Sequence, residues 1–290
     1  MLRHTTAKIG GTKHHVTVAD SVKELTDAVA AKTKNKDRRV AELSESFLGR
    51  FFKDIGQACD AATQPWEDGI RMVADMTSEL RKTVKLPKPV SLKRQKMWSS
   101  EDGDEIDFDR LRAGEDFYRT TKKKNSVKTK QLTVFIDTCA NARRKAASLL
   151  WRGIAAITIA RLLEDAGYRV AIMTYDSATR GFESGKGHSV IVCVKKMQDR
   201  INIGTLASAV SGWFFRSVGF ESYNLIPRET PSYNLGHHNE DVGALVEMVE
   251  PNPDARVNIN GVWDKDGAAS LIKTVIEKLN SEAENKLAVA

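Results

Sequence analysis

Between Gln131 and Asp176 the chain reads QLTVFIDTCANARRKAASLLWRGIAAITIARLLEDAGYRVAIMTYD. The apolar run LTVFID has the length and composition of a strand. From about Arg143 to Ala166, Leu149, Leu150, Trp151, Ile154, Ala155, Ile157, Ile159, Leu162 and Leu163 fall nearly all round a helical cylinder. That pattern predicts a helix buried between other elements. Gly167 ends it, and YRVAIMTY is the second strand. The loop RGFESGKG leads to a third strand, HSVIVCV, and so short a connection suits an antiparallel hairpin rather than a crossover. INIGTLASAVSGWFF predicts a loop and helix, Ser217 to Asn239 an irregular stretch, EDVGALVEMVE a helix, ARVNINGVW a strand and DGAASLIKTVIEKLNSEAE a closing helix. The order predicts an α/β domain over 131–290, a three-layer, mostly parallel sheet with an antiparallel edge strand.

Upstream the periodicity is helical. VTVADSVKELTDAVAA opens on a short β-like run, and a helix follows with Asp20 or Ser21 as its cap and Glu24 behind it. Val40, Leu43, Phe47, Leu48, Phe51, Phe52 and Ile55 recur at helical spacing. Pro65 starts the next helix, with Glu67 and Asp68 in its first turn and Arg81 and Lys82 in its last, as the helix dipole favours. Residues 1–84 are therefore expected as a mainly helical N-terminal region. Residues 85–130 are expected as a charged connector with a short folded stretch around Ile106, Phe108 and Leu111.

Charge sharpens that division. The chain carries a net charge of +7, yet residues 131–290 hold 18 basic and 18 acidic side chains, so the excess lies before them. RKTVKLPKPVSLKRQKMW has seven basic residues and no acid, EDGDEIDFDRLRAGED has eight acids, and YRTTKKKNSVKTK has six basic residues and no acid. Such asymmetry points to a polyanionic partner, most often nucleic acid; the rival reading is a solvated basic arm neutralised by the neighbouring acids. Lys93, Arg94, Lys96, Arg119, Lys122, Lys123, Lys124, Lys128 and Lys130 are the candidate phosphate contacts, with Trp98 the ring closest to the first run and Phe117 and Tyr118 beside the second. Exposed rings would stack on unpaired bases, each worth ~1–3 kcal/mol, which favours single-stranded DNA.

Composition excludes several classes. No run reaches the apolar length of a membrane span, and the start of the chain lacks the apolar core of a secretory signal, so a cytoplasmic setting is expected. Cys59, Cys139 and Cys193 form no CxxC, which argues against a disulfide framework or a zinc knuckle. GFESGKG misses the phosphate-loop spacing, and DGDEIDFD misses the calcium-loop pattern. His237 and His238 are adjacent, so their side chains diverge on a regular element. Neither a nucleophile elbow nor a pair of catalytic carboxylates is recognisable, and a non-enzymatic role follows.

The landmarks VFIDTCAN, the helix to Gly167, HSVIVCV and the Gly204-Thr205 pair together resemble a von Willebrand factor A-type (vWA) domain. IARLLEDAGYRVAI is most similar to the vWA modules of cobaltochelatase-type subunits and phage-encoded relatives. The resemblance implies a divalent-metal site built from Asp-x-Ser-x-Ser, a Thr and a further Asp. Here Asp137 and Thr205 stand in place, while Cys139 and Asn141 occupy the serine positions and Asp264 is the nearest third-loop acid. A thiol is a poor ligand for Mg²⁺, so Asp137, Asn141 and Thr205 are expected to form a degraded site, with capping of the next helix as the alternative role for Asp137. No cofactor beyond that metal is expected. The resemblance further implies a protein partner: for a phage-encoded chain a polymerase or replication factor brought to DNA in the host cytoplasm, or, as the alternative, an AAA+ ATPase in an assembly role.

Overall fold

The computed structural model describes residues 2–9, 12–33, 45–86, 94–101, 105–123, 130–139, 144–179, 186–225 and 255–288. They divide into two compact units, one formed by Met1–Pro87 with Gln131–Ala290 and the other by Lys88–Lys130.

The larger unit is α/β and is built on a mixed six-stranded sheet. In it β6 (Gln131–Asp137) lies between β7 (Arg169–Thr179) and β9 (Ala255–Ile259) and runs parallel to both. Successive side chains of a strand leave on opposite faces. Leu132, Val134 and Ile136 enter one large core cluster, while Phe135 joins Val16, Val18, Met173, Tyr175 and Ile191 in a second. Burial on both faces is why this strand reads as an unbroken apolar run.

The helix expected after β6 is α6 (Ala146–Asp165), and it is buried nearly all round. Its apolar window is long enough to cross a membrane by length and composition, and 78% of that window is buried inside the protein. Gly167, at φ 86°, closes it: Gly167 N–H donates to Glu164 O and Tyr168 N–H to Leu163 O. Only glycine takes that left-handed cap without a Cβ penalty. β8 (Lys186–Lys195) then pairs antiparallel with β7, as the short loop predicts.

Three expectations are corrected. The strand HSVIVCV is not at the edge, because β2 (Thr12–Ala19) lies beside β8 in parallel and β1 (Arg3–Ile9) pairs antiparallel with β2 as the outer strand. Second, the boundary between 1–84 and 131–290 does not separate two bodies. Helices α1 (Val22–Thr33), α3 (Ile55–Ala62) and α4 (Glu67–Thr83) share one core with α6. A helix without a polar face needs cover on every side, and the stripe Val73, Met76 and Leu80 of α4 supplies some of it. Third, the helical periodicity of 40–60 is divided. α2 (Glu45–Leu48) stops at Gly49, with φ 79°, and α3 restarts at Asp54, whose carboxylate accepts from Gln57 N–H at 2.9 Å. Phe51, in the break, is 70% exposed.

After β8 the chain forms α7 (Ile203–Ala209), α8 (Gly212–Phe214), a π-helical turn (Phe215–Gly219), α9 (Phe220–Ser222) and a 3₁₀ turn to Leu225. The helical part thus runs further than the sequence suggests; the rest of the irregular stretch and EDVGALVEMVE lie outside the described residues. The closing helix is α10 (Lys265–Ala288), and its Ala268, Ile272, Ile276 and Leu279 return to the main core.

The smaller unit is a three-stranded antiparallel sheet ordered β3 (Arg94–Ser99), β5 (Tyr118–Lys123), β4 (Glu105–Ile106). A short helix, α5 (Phe108–Ala113), starts from Asp107, which accepts from the N–H groups of Asp109 and Arg110, and ends on Gly114 at φ 70°.

Two predictions follow from packing. A Cβ built on Gly153 of α6 would lie 2.2 Å from Val210 Cγ2 and 2.6 Å from Val210 O. Alanine gains ~1 kcal/mol in a helix interior, but a backbone oxygen cannot swing aside, and overpacking costs about 1–3 kcal/mol. Gly153→Ala is therefore expected to lower the thermal midpoint; an unchanged or raised midpoint would contradict this packing. On the other sheet face His14 is buried with Nδ1 3.0 Å from Ser189 Oγ. Burial lowers its pKa from 6.5 to about 4. The unfolded chain accepts a proton there that the folded chain refuses, so this contribution is complete above the unfolded pKa and is lost as pH falls through the window down to about 4. Urea unfolding at pH 7 and at pH 5 should show a steeper loss of stability for the wild type than for His14→Gln, and equal losses would refute the assignment.

Candidate functional site

Asp137 ends β6 and is buried, as are Thr138 and Cys139 after it. Thr138 is tied to β7: its N–H and its hydroxyl both donate to Tyr175 O, at 2.9 and 2.8 Å. Asp137 Oδ1 accepts from Cys139 N–H at 2.8 Å, so the carboxylate caps its own loop. Its other oxygen is 3.8 Å from Arg152 Nη1.

Arg152 is the residue that sequence reasoning missed. It lies inside α6 and is 2% exposed. Nη1 donates to Asp137 O at 2.5 Å and to Cys139 O at 3.1 Å, and the guanidinium sits 4.0 Å from the centroid of Trp263. Arg144 reaches the same ring at 4.4 Å. Burial pulls the Arg152 pKa down and the charge of Asp137 pushes it back up. A signal existed: a lone arginine in SLLWRGIAAITI must find a buried acceptor set.

Asp176 adjoins the loop from β7. Cys139 Sγ–H donates to Asp176 Oδ1 at 2.9 Å, and the sulfur accepts from Ser177 N–H at 3.2 Å. Burial raises the pKa of Asp176, which favours its protonated form. Burial, reinforced by Asp176 and Asp137, raises that of Cys139, so the thiol keeps its proton and is a poor nucleophile. A cavity of about 20 Å³ bordered by Thr138, Asp176, Phe214 and Ser222 has room for a single water and not for a substrate.

Of the proposed metal ligands, Asp137 is joined to Cys139 and Arg152. Thr205 sits in the first turn of α7, where its hydroxyl donates to Asn202 O at 3.4 Å; Asn141 lies outside the described residues. The donor set at Asp137 does not suit a hard divalent ion, because a thiol and a guanidinium stand where oxygen ligands are needed. Among the described residues no group of three or more His, Cys, Asp or Glu side chains could hold a metal.

The basic runs meet in the smaller unit. Register places Arg94 opposite Lys123, Lys96 opposite Thr121 and Trp98 opposite Arg119, and directly paired positions share a face. Lys122 is opposite Gln95, on the other face. Lys130 is half-buried just before β6, and Lys93, Lys124 and Lys128 lie outside the described residues. Trp98 is half-buried, with the Arg110 guanidinium 4.4 Å and that of Arg119 6.0 Å from its ring. Arg110 pairs with Glu115 at 2.8 Å and Arg119 with Glu105 at 3.4 Å. One ring face is thus occupied from within, and Arg110 and Arg119 are each paired with a carboxylate. Phe117 and Tyr118 pack on each other at 4.6 Å.

Removing the guanidinium takes a cationic partner from the buried Asp137 carboxylate, a loss of about 3–5 kcal/mol. Arg152→Met is expected to lose that much in urea unfolding, and Arg152→Met with Asp137→Asn to regain part of it. Additive losses in the double variant would show that the two groups are not coupled.

The sequence pattern of a domain of unknown function, DUF7192, matches residues 4–283. Comparison with curated proteins and with solved structures finds no match. The matched span runs from β1 into α10 and takes in the smaller unit between them, so the chain belongs to the DUF7192 family.

Proposed function

We propose that the protein is a non-enzymatic adaptor that binds nucleic acid, single-stranded DNA in particular, through residues 88–130 and a protein partner through a vWA-like three-layer domain, acting in the cytoplasm. The observation that carries the nucleic-acid reading is the pairing of β3 with β5. Two basic runs separated in sequence by the acidic stretch contribute neighbouring strands, with Arg94 opposite Lys123 and Lys96 opposite Thr121 in the register. Cations spaced along adjacent strands match a phosphate backbone, and such contacts require no base sequence. The vWA-like reading is supported by the apolar β6 that ends at Asp137, by the long buried α6, by β8 running antiparallel after a hairpin, and by Gly204-Thr205 in the first turn of α7. The non-enzymatic reading is supported by the state of the Asp137 loop, whose carboxylate faces a guanidinium and whose thiol keeps its proton.

Titration of a fluorescent oligodeoxythymidylate across a salt series tests the proposal. Affinity should fall steeply with salt, and replacing Lys122, Lys123 and Lys124 together with Ala should reduce the log–log slope by about 2, as expected for three phosphate contacts on a single strand. An absence of binding at low salt, or a slope unchanged in the triple variant, would end this reading.

A further inference from the structure

Within the smaller unit α5 and β4 carry a chemistry different from that of the basic runs. Ile106, Phe108 and Leu111 are 46%, 66% and 43% exposed, and no residue of α5 is buried. Phe108 and Leu111 are three apart, so they stand on one face of α5, and Ile106 immediately precedes its cap. Large exposed apolar side chains gathered in so small a body mark a contact surface rather than a core. The same stretch, Glu101 to Asp116, contains eight acids against two arginines. Glu105, Asp109, Glu115 and Asp116 are all exposed beside the apolar trio.

We infer that α5 and β4 form a docking surface for a cationic amphipathic segment of a protein partner, an apolar stripe flanked by Lys and Arg. Burying Phe108 and Leu111 supplies the attraction, and the surrounding carboxylates select the sign of the partner's charge. The chain carries +7, with residues 131–290 neutral, so this stretch stands out as a local excess of acid where a basic ligand has reason to bind. The same surface rejects nucleic acid, whose charge is that of its own rim. A second copy of this chain is the less suitable occupant, because two such acidic rims would face each other. The inference does not rest on the nucleic-acid reading.

The test uses the full chain and two synthetic helical peptides with leucines at i, i+3, i+4 and i+7, one with lysine and one with glutamate at the remaining positions. Calorimetry should detect the lysine peptide and not the glutamate peptide. Phe108→Ser with Leu111→Ser should weaken binding by about tenfold or more, equivalent to about 1.4 kcal/mol. Asp109→Lys with Asp116→Lys, which leaves the apolar trio intact, should weaken it to a similar degree. Both pairs are exposed, so the fold is expected to survive, and far-ultraviolet circular dichroism verifies this. Binding of both peptides alike, no binding of the lysine peptide, or affinity unchanged in either variant would overturn the proposal. So would dimerisation of the wild type that the Phe108→Ser, Leu111→Ser variant abolishes, which would assign the surface to a second copy.

Discussion

A twenty-residue helix with no polar face sets the terms for the larger unit. α6 buries Leu149, Ile154, Ile157, Leu162 and Leu163 in different directions, and no single sheet face can cover them all. Cover comes from α4 and α10, from the segment at Trp213 to Val218, and from the strands beneath. This requirement draws residues from both ends of the sequence into one core. It also explains two close approaches, Gly153 against Val210 and Gly212 against the backbone of Ala146, where any side chain would hold the helices apart.

Within that helix one charged side chain, Arg152, is buried, and it organises the loop that follows β6. Arg152 takes the carbonyls of Asp137 and Cys139 and lies beside the Asp137 carboxylate, so a side chain fixed in the fold supplies positive charge at this loop. Trp263 covers it from the loop after β9. The neighbouring Cys139–Asp176 contact joins a protonated thiol to a carboxyl group that burial biases towards its acid form.

Much of the centre was legible because its signal is local. LTVFID, the all-round apolar helix, Gly167 and the hairpin to HSVIVCV each show their element within a few residues, and each is found. Of the N-terminal strands only the end of β2, the β-like run at Val16 to Val18, was legible. His4, Thr5, Thr6, His14, His15 and Thr17 give them a polar composition, and β2 is fixed by a partner strand far along the chain. The break between α2 and α3 depends on the positive φ of Gly49, which spacing alone does not reveal. Of the candidate interface, the basic runs are plain in the composition, but their meeting as paired strands is a matter of register. Trp98 was expected to face a ligand and is stacked by Arg110, whereas Phe108, expected in a small folded stretch, is the open ring.

The parallel pairing of β2 with β8 has a consequence for how the molecule is made. Lys13 to Ala19 align with Lys186 to Val192, so the hairpin of β1 and β2 has its permanent neighbour only after the intervening residues 20–185 have been synthesised. Until then one margin of β2 presents unpaired amide and carbonyl groups, and closing so large a loop must precede any gain from the contact. Assembly of the sheet is therefore a late event, and the interval before it is when a nascent chain would most need protection from joining another.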